Sequence, residues 1–517
     1  MSNVNISKVY FLRVPLESDY KNTLYFTSKE NQESYFKSKK VITFDNDNFS
    51  YQRKDHIIRV NQHIDKINTC NYVMYQNSYY SNKWFYCFIK DMKYINDGVT
   101  EVQIETDVIQ TYLFDYTIKP SFVEREHVSD DTIGKHTIPE GLETGEYICN
   151  ELSRDEQLQD LCYIILTTEF TNTDKDNPDR DRPLATNFGG VFSAGGAYIC
   201  STMNEVVNIV QALSEVEGAI VGVYMAPKKI VNNTSETLQY SGQPSPVTYN
   251  HPITKQNTLD GYTPKNNKLL CFPYNYILNS NNSGTSNILQ YEHFSGENCE
   301  FEIEGVPTIG CSIKCVPLNY KGIEKIQEEG IMLGKFPTLS WSADLYTSWI
   351  TQNGLNLNMG VATSGLSVVA GLGMLAVNPL MGAGMIAGGV AGVANTMAQV
   401  HQHAFTPNSA KGNVNGGDIN TSYKMNLFYF YKMSIKKEMA EALDKYFDMY
   451  GYKVNIVKTP SKAHRSRYWY TKTIDVNIDG NIPNNDMDKI KNCYNNGITF
   501  WRNADEIQNY SLSNAIV

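Results

Sequence analysis

The chain has 517 residues, of which 41% are apolar, 12% aromatic and only 19% charged, so it is too hydrophobic to be disordered and long enough for roughly three to four domains. A net charge of -10 and a pI near 5.5 exclude a protein that coats nucleic acid through basic charge. Thirty-five tyrosines against an ordinary count of 35 glycines point to a mainly β protein.

Residues 1–14 (MSNVNISKVYFLRV) carry neither the basic patch nor the apolar run and small-residue cleavage site of a secretory signal, so folding in the cytoplasm is expected. From Lys8 to about Val128, short runs alternate apolar with polar residues between turn clusters such as Asp45-Asn46-Asp47-Asn48. The clearest element is a hairpin. Trp84–Tyr94 leads through Asn96-Asp97-Gly98 into a return strand over Val99–Leu113, with Asp-Gly expected to supply the positive φ of a tight turn. Strand alternation would bury Val102, Ile104, Thr106 and Val108 and expose an acidic face of Glu101, Glu105 and Asp107.

Between about Thr132 and Lys265, glycine and proline breaks, an acidic loop and one amphipathic helix near Met203–Glu217 predict an inserted α+β module. A second β-rich stretch starts at Lys268, turns at Ser280–Gly284 and continues through Val306. Beyond Ser422 the pattern predicts a strand over Lys424–Met433, a charged helix over Lys436–Tyr450, and strands around Val454 and Thr471–Ile478. The expected division is 1–131, a first β-barrel region; 132–264, the inserted module; 265–344, a second β-barrel region; 345–420, a hydrophobic loop; and 421–517, a C-terminal α/β portion.

Positions 345–410 contain no Asp, Glu, Lys or Arg in a chain where about one residue in five is charged. Two apolar arms flank Asn378-Pro379. Each arm has roughly 18 residues and as a helix would span about 27 Å, near the thickness of bilayer hydrocarbon. The candidate membrane-contacting residues are Leu366, Val368, Val369, Leu372, Met374, Leu375 and Val377 in the first arm, with Pro379 at the turn. Leu380, Met381, Met385, Ile386, Val390 and Val393 follow in the second. Repeated glycines weaken either arm as an isolated helix in water by about 1 kcal/mol each, while Gly384, Gly388 and Gly392 permit close helix approach in lipid. A buried hairpin or a constitutive anchor are the alternatives. Long polar regions on both sides and the lack of a basic flank favour a loop exposed only on demand. His401 and His403 stand at its end, where they read either as an acid trigger or as polar punctuation.

Other signals are weaker. Ten cysteines lack a C-x-x-C pair and read as reduced, buried thiols; Cys311 and Cys315 have no second pair or histidine nearby for zinc. Asp174, Asp176, Asp179 and Asp181 lack the glycine and terminal glutamate of a calcium loop and sit among cations. Lys458–Lys472 mixes cations and aromatics as single-strand binders do, although a strand edge with a solvated face fits as well. No nucleophile elbow, phosphate loop or zinc-protease motif is present, so no catalytic, cofactor-binding or metal residue is assigned and the chain is not expected to be an enzyme.

Val99–Val128 (VTEVQIETDVIQTYLFDYTIKPSFVEREHV), Lys265–Gly284 (KNNKLLCFPYNYILNSNNSG), Tyr446–Asn455 (YFDMYGYKVN) and Asn495–Asn503 (NNGITFWRN) together resemble the tail-knob, or distal tail tube, proteins of short-tailed phi29-type phages. The order of these motifs, and the long Gly/Ala-rich segment before the C-terminal portion, carry the resemblance across nearly the whole chain. It implies tandem tail-tube-like β-barrels assembling as a homohexameric ring at the distal end of the virion tail. It also implies passage of double-stranded DNA without sequence-specific binding, contact with other tail and collar proteins, and loops at about Leu355–Phe405 that plug the tube and then penetrate the host cell membrane. Acidic residues such as Glu101 and Glu105 would suit a lumen that lets DNA slide. The rival readings are a receptor-binding or cell-wall-degrading tail component and, third, a bacterial transmembrane protein.

Overall fold

The computed structural model describes all residues except 1–6, 46–48, 53–55, 79–80, 168–185, 189–190, 194–195, 203, 207, 210–219, 232–237, 241–246, 283, 307–310, 334–337 and 341–426. Most of the expected helix at Met203–Glu217 falls outside the described residues. The chain divides into two units. Unit 1 comprises 1–145, 262–269 and 437–517, and unit 2 comprises 146–261 and 270–436.

The N-terminal elements of unit 1 are β1 (Ser7–Leu12), β2 (Asn22–Leu24), α1 (Lys29–Ser38), β3 (Lys40–Asp45), β4 (Phe49–Gln52), β5 (Ile57–Val60), β6 (Tyr72–Asn77), β7 (Trp84–Asn96), β8 (Val99–Thr106), α2 (Val108–Tyr112), β9 (Tyr116–Ile118) and β10 (Ser121–Glu126). Seven strands form an antiparallel sheet in the order β3-β1-β6-β7-β8-β5-β4. Its two outer strands are consecutive in the chain. The link from Asp45 to Phe49 can span no more than about 14 Å at ~3.5 Å per residue, so the sheet must curl until its edges are near each other. One face of the curl packs Val9, Phe11, Ile58, Val60, Val73, Cys87, Val102 and Ile104, all nearly or fully buried. α1 begins at Ser28, whose Oγ accepts from the Asn31 N–H at 3.2 Å, and seats Phe36 flat against Tyr72 at 5.4 Å.

The β7–β8 hairpin has the expected register, with Asn96 opposite Val99, Met92 opposite Val102 and Ile89 opposite Ile104. Two details differ. Gly98 is not in the left-handed region; the turn is instead closed by its N–H donating to Asn96 Oδ1 at 2.9 Å. The return strand also stops at Thr106, because Asp107 caps α2: its Oδ1 accepts from the N–H groups of Ile109 and Gln110, both at 3.1 Å, and its Oδ2 from the Tyr72 hydroxyl at 2.9 Å. Asp107 is therefore buried and not part of an acidic surface. Replacing it with Ala should cost about 2–3 kcal/mol, combining a lost cap with a stranded Tyr72 hydroxyl, and urea unfolding should show Asp107→Asn to be milder.

A second sheet joins the chain's two ends. Its order is β2, Ile498–Trp501, Tyr468–Ile474, β10 and Tyr452–Lys458, with β2 parallel to Ile498–Trp501 and the rest antiparallel. The helices Lys437–Tyr450 and Asn484–Asn496 belong to this unit. The second helix buries Ile490, Cys493 and Tyr494 on one stripe.

Unit 2 is also built mainly of strands. A four-stranded sheet runs Tyr147–Arg154, Tyr429–Ile435, Asn275–Ser280, Ser286–Leu289. A five-stranded sheet centres on Leu161–Thr167, and another pairs Val247–Thr254, Asn298–Val306 and Ser312–Tyr320. Their shared core includes Phe294, Phe301, Phe430, Ile277 and Tyr224. The stretch from Lys268 is not strand throughout: Asn267–Leu270 is a 3-10 turn, and pairing starts at Asn275, beyond Pro273. The chain as a whole is mainly β, as its composition implies.

Candidate functional sites

All fourteen candidate membrane-contacting residues, from Leu366 to Val393, and both His401 and His403 lie outside the described residues, as do Asp174, Asp176, Asp179 and Asp181. Among the described residues no helix is long and apolar enough to cross a membrane.

The segment Tyr262–Leu269 is stapled into unit 1 by buried polar groups. Asp444, on the helix Lys437–Tyr450, accepts from the N–H groups of Lys265 at 2.7 Å and Asn266 at 3.0 Å and from the Tyr262 hydroxyl at 2.7 Å. Asp131 accepts from the Asn267 N–H at 3.1 Å and the Tyr452 hydroxyl at 2.7 Å. At the end of the segment, Lys268 pairs with the fully buried carboxylate of Glu140, which also pairs with Arg125 and accepts from the Lys453 N–H at 3.0 Å. The two cations are almost as buried as their shared anion. Sequence reading missed this triad because Lys268 lies far along the chain from Arg125 and Glu140.

His127 ties three elements together. Its Nδ1 accepts from the Tyr470 N–H at 2.7 Å, leaving Nε2–H to donate to the Asp448 carbonyl at 3.1 Å. Burial, reinforced by the Arg465 charge, pushes its pKa down to about 3. The folded protein keeps His127 neutral while the unfolded chain takes up a proton below about pH 6.5. Its contribution to stability is complete above that pH and is lost progressively toward pH 3, at up to about 1.4 kcal/mol per pH unit. Burial pushes the Asp107 carboxyl up to about 6, which acts in the opposite sense between there and its ordinary range. The expected result is that His127→Gln, less stable at neutral pH, shows a flatter loss from pH 6.5 to 4.5 than the parent in denaturant titrations. Parallel curves would contradict it.

The face carrying Glu101 and Glu105 is charge-balanced: Arg59 sits 2.8 Å from Glu101, and Lys90 and Lys489 sit 3.3 and 3.2 Å from Glu105. The run Lys458–Lys472 is mostly not a strand edge. Lys458 ends the outermost strand of its sheet, but Tyr468–Ile474 is the middle strand of five and buries Tyr468, Trp469 and Tyr470. Lys458, Arg467 and Lys472 are paired with Glu126, Glu506 and Glu124. These rings therefore offer no exposed platform for bases. Nine cysteines are buried thiols, Cys311 and Cys315 among them, and Cys149 is exposed.

Residues 187–515 match the family model described as "Bacillus phage phi29, Tail knob protein gp9, C-terminal domain", and residues 5–117 match "Caudoviral major tail protein N-terminus". The chain is 25% identical to the tail knob protein gp9 of Bacillus phage B103, with 98% of each chain covered. It is likewise 25% identical to gp9 of Bacillus phage phi29, with 97% of each covered. The tail knob protein gp12 of bacteriophage C1 superposes with a TM-score of 0.66 over 99% of this chain and 100% of that one, at 16% identity, which shows a shared fold.

Proposed function

This chain belongs to the phi29 tail knob protein family, a family of structural components of the phage tail, and from that premise we propose that it forms a homohexameric ring at the distal end of a short tail. The ring is a non-enzymatic conduit for double-stranded DNA, and its uncharged segments plug the bore before entering the host cell membrane. Regions 1–131 and 265–344 supply the tube wall, 421–517 completes it, and 345–420 is the membrane-active loop.

The observation that carries this reading is the absence of any charged residue over 345–410, within a chain otherwise ordinary in charge. A single exposed copy of such a segment is a liability in water. Six copies in a tube can cover one another, and burial at ~25 cal/mol per Å² favours the plugged state until the loops are expelled. Bilayer hydrocarbon then offers an equivalent refuge. His401 and His403 are suited to bias release in acid.

The test is a phage whose knob protein lacks residues 360–400. Tails of normal composition that adsorb but deliver no DNA are expected. Normal DNA delivery would contradict the role of the segment, and failure of tails to assemble would make the segment a structural part of the ring.

A further inference from the structure

Unit 1 contains a cavity of about 240 Å³ walled by rings, among them Tyr25, Phe114, Trp469, Tyr494 and Phe500, with Thr27 and Lys462 exposed at its mouth. The cation of its lining lacks a countercharge. Lys462 has no carboxylate partner among the described residues, whereas Lys458 and Lys472 nearby are both paired. Behind two of these rings, outside the lining, the Arg502 guanidinium lies 5.9 Å from the Tyr25 ring and 5.7 Å from that of Trp469 and donates to the carbonyls of Arg465 at 2.9 Å and Ala463 at 2.6 Å. In a chain with ten more acidic than basic residues, an aromatic cavity lined by one unpaired cation calls for an apolar group carrying a negative charge.

The same chain presents such a group elsewhere in unit 1. Beyond Ile89 the β7–β8 hairpin leaves the core, and at its tip Tyr94 and Ile95 are 52% and 49% exposed. Asp97 beside them has no cationic partner among the described residues and accepts from the Tyr94 hydroxyl. The tip is exposed in the single chain, so it does not fill its own cavity.

We propose that the hairpin tip of one copy docks into the aromatic cavity of a second copy, with Ile95 inserted and Asp97 facing Lys462. Because tip and cavity are different surfaces, the contact is head-to-tail, and repetition closes a ring when the rotation permits. The inference rests on the ring reading above and names one of its subunit contacts.

Sedimentation of the full chain tests it, comparing the parent with Ile95→Asp, Asp97→Lys, Lys462→Glu and the exchanged pair Asp97→Lys/Lys462→Glu. All substituted positions are solvent-exposed, so thermal unfolding of each monomer should match the parent. Association is expected to weaken at least 10-fold for Ile95→Asp and severalfold for each charge reversal, with the exchanged pair recovering most of the loss. A parent that forms rings while Ile95→Asp associates equally well would overturn this contact and leave the ring reading intact. A parent that stays monomeric at every concentration would overturn the ring reading and the contact with it.

Discussion

Replacing Glu140 with alanine is expected to lower the stability of unit 1 by about 3–5 kcal/mol. The carboxylate is fully buried between Arg125 and Lys268, and its removal leaves two cations, 9% and 4% exposed, without an anion. Arg125 would retain the Gly451 carbonyl at 2.6 Å and Lys268 the Ile138 carbonyl at 2.9 Å, but a neutral acceptor does not replace a charge in a desolvated site. The Lys453 N–H would lose its acceptor as well. Calorimetry should read a fall on the order of 10 °C in the transition of unit 1. Glu140→Gln, which keeps an acceptor but no charge, should fall between the two. An unchanged transition for Glu140→Ala would mean that the cations are solvated and that the segment 262–269 is held by Asp131 and Asp444 alone.

Gly451→Ala is the second large effect. Gly451 follows the helix Lys437–Tyr450 with φ +64, and its N–H donates to the Phe447 carbonyl at 2.8 Å. A Cβ there would lie 2.1 Å from the Glu126 carbonyl oxygen and 2.5 Å from the His127 nitrogen, both backbone atoms at the end of β10. Relieving that overlap requires moving β10 away from Tyr452–Lys458, against the pairs Glu126–Tyr452 and Arg125–Lys453. The left-handed backbone costs about 1–2 kcal/mol and overpacking about 1–3 more, so soluble yield should collapse or stability fall by about 2–5 kcal/mol. Gly261→Ala provides the control. Its φ is +76 but no atom lies within 4 Å of the added Cβ, so only the backbone cost should appear. Equal effects at the two glycines would show that the steric contact is relieved elsewhere.

What the sequence discloses tracks how local each signal is. The β7–β8 hairpin is legible because alternation and a turn cluster are contiguous, and the helix Lys437–Tyr450 because its apolar stripe is regular. The over-long return strand arises because Thr106, Asp107 and Val108 fit strand alternation and a helix cap equally well; the Tyr72 hydroxyl, from a strand far earlier, decides between them. The helix Asn484–Asn496 went unread although Pro483 precedes it, Gly497 ends it with φ +93, and Met487, Ile490 and Tyr494 fall at helical spacing. The central position of Tyr468–Ile474 could not be read at all, since its neighbour β10 lies far upstream in the chain. The same long-range closure hides the Arg125–Glu140–Lys268 triad and the aromatic cavity. The uncharged segment is the opposite case, visible in composition alone.

Dye release from liposomes by the purified protein tests membrane penetration most directly, with the full chain compared against a variant lacking residues 360–400 at neutral and mildly acidic pH. Release by the full chain and none by the variant is expected, with both sedimenting as the same ring. Acid enhancement lost on replacing His401 and His403 with Gln would assign them the trigger. Equal release by the full chain and the variant would contradict membrane penetration by this segment, because permeabilisation would then arise elsewhere in the protein.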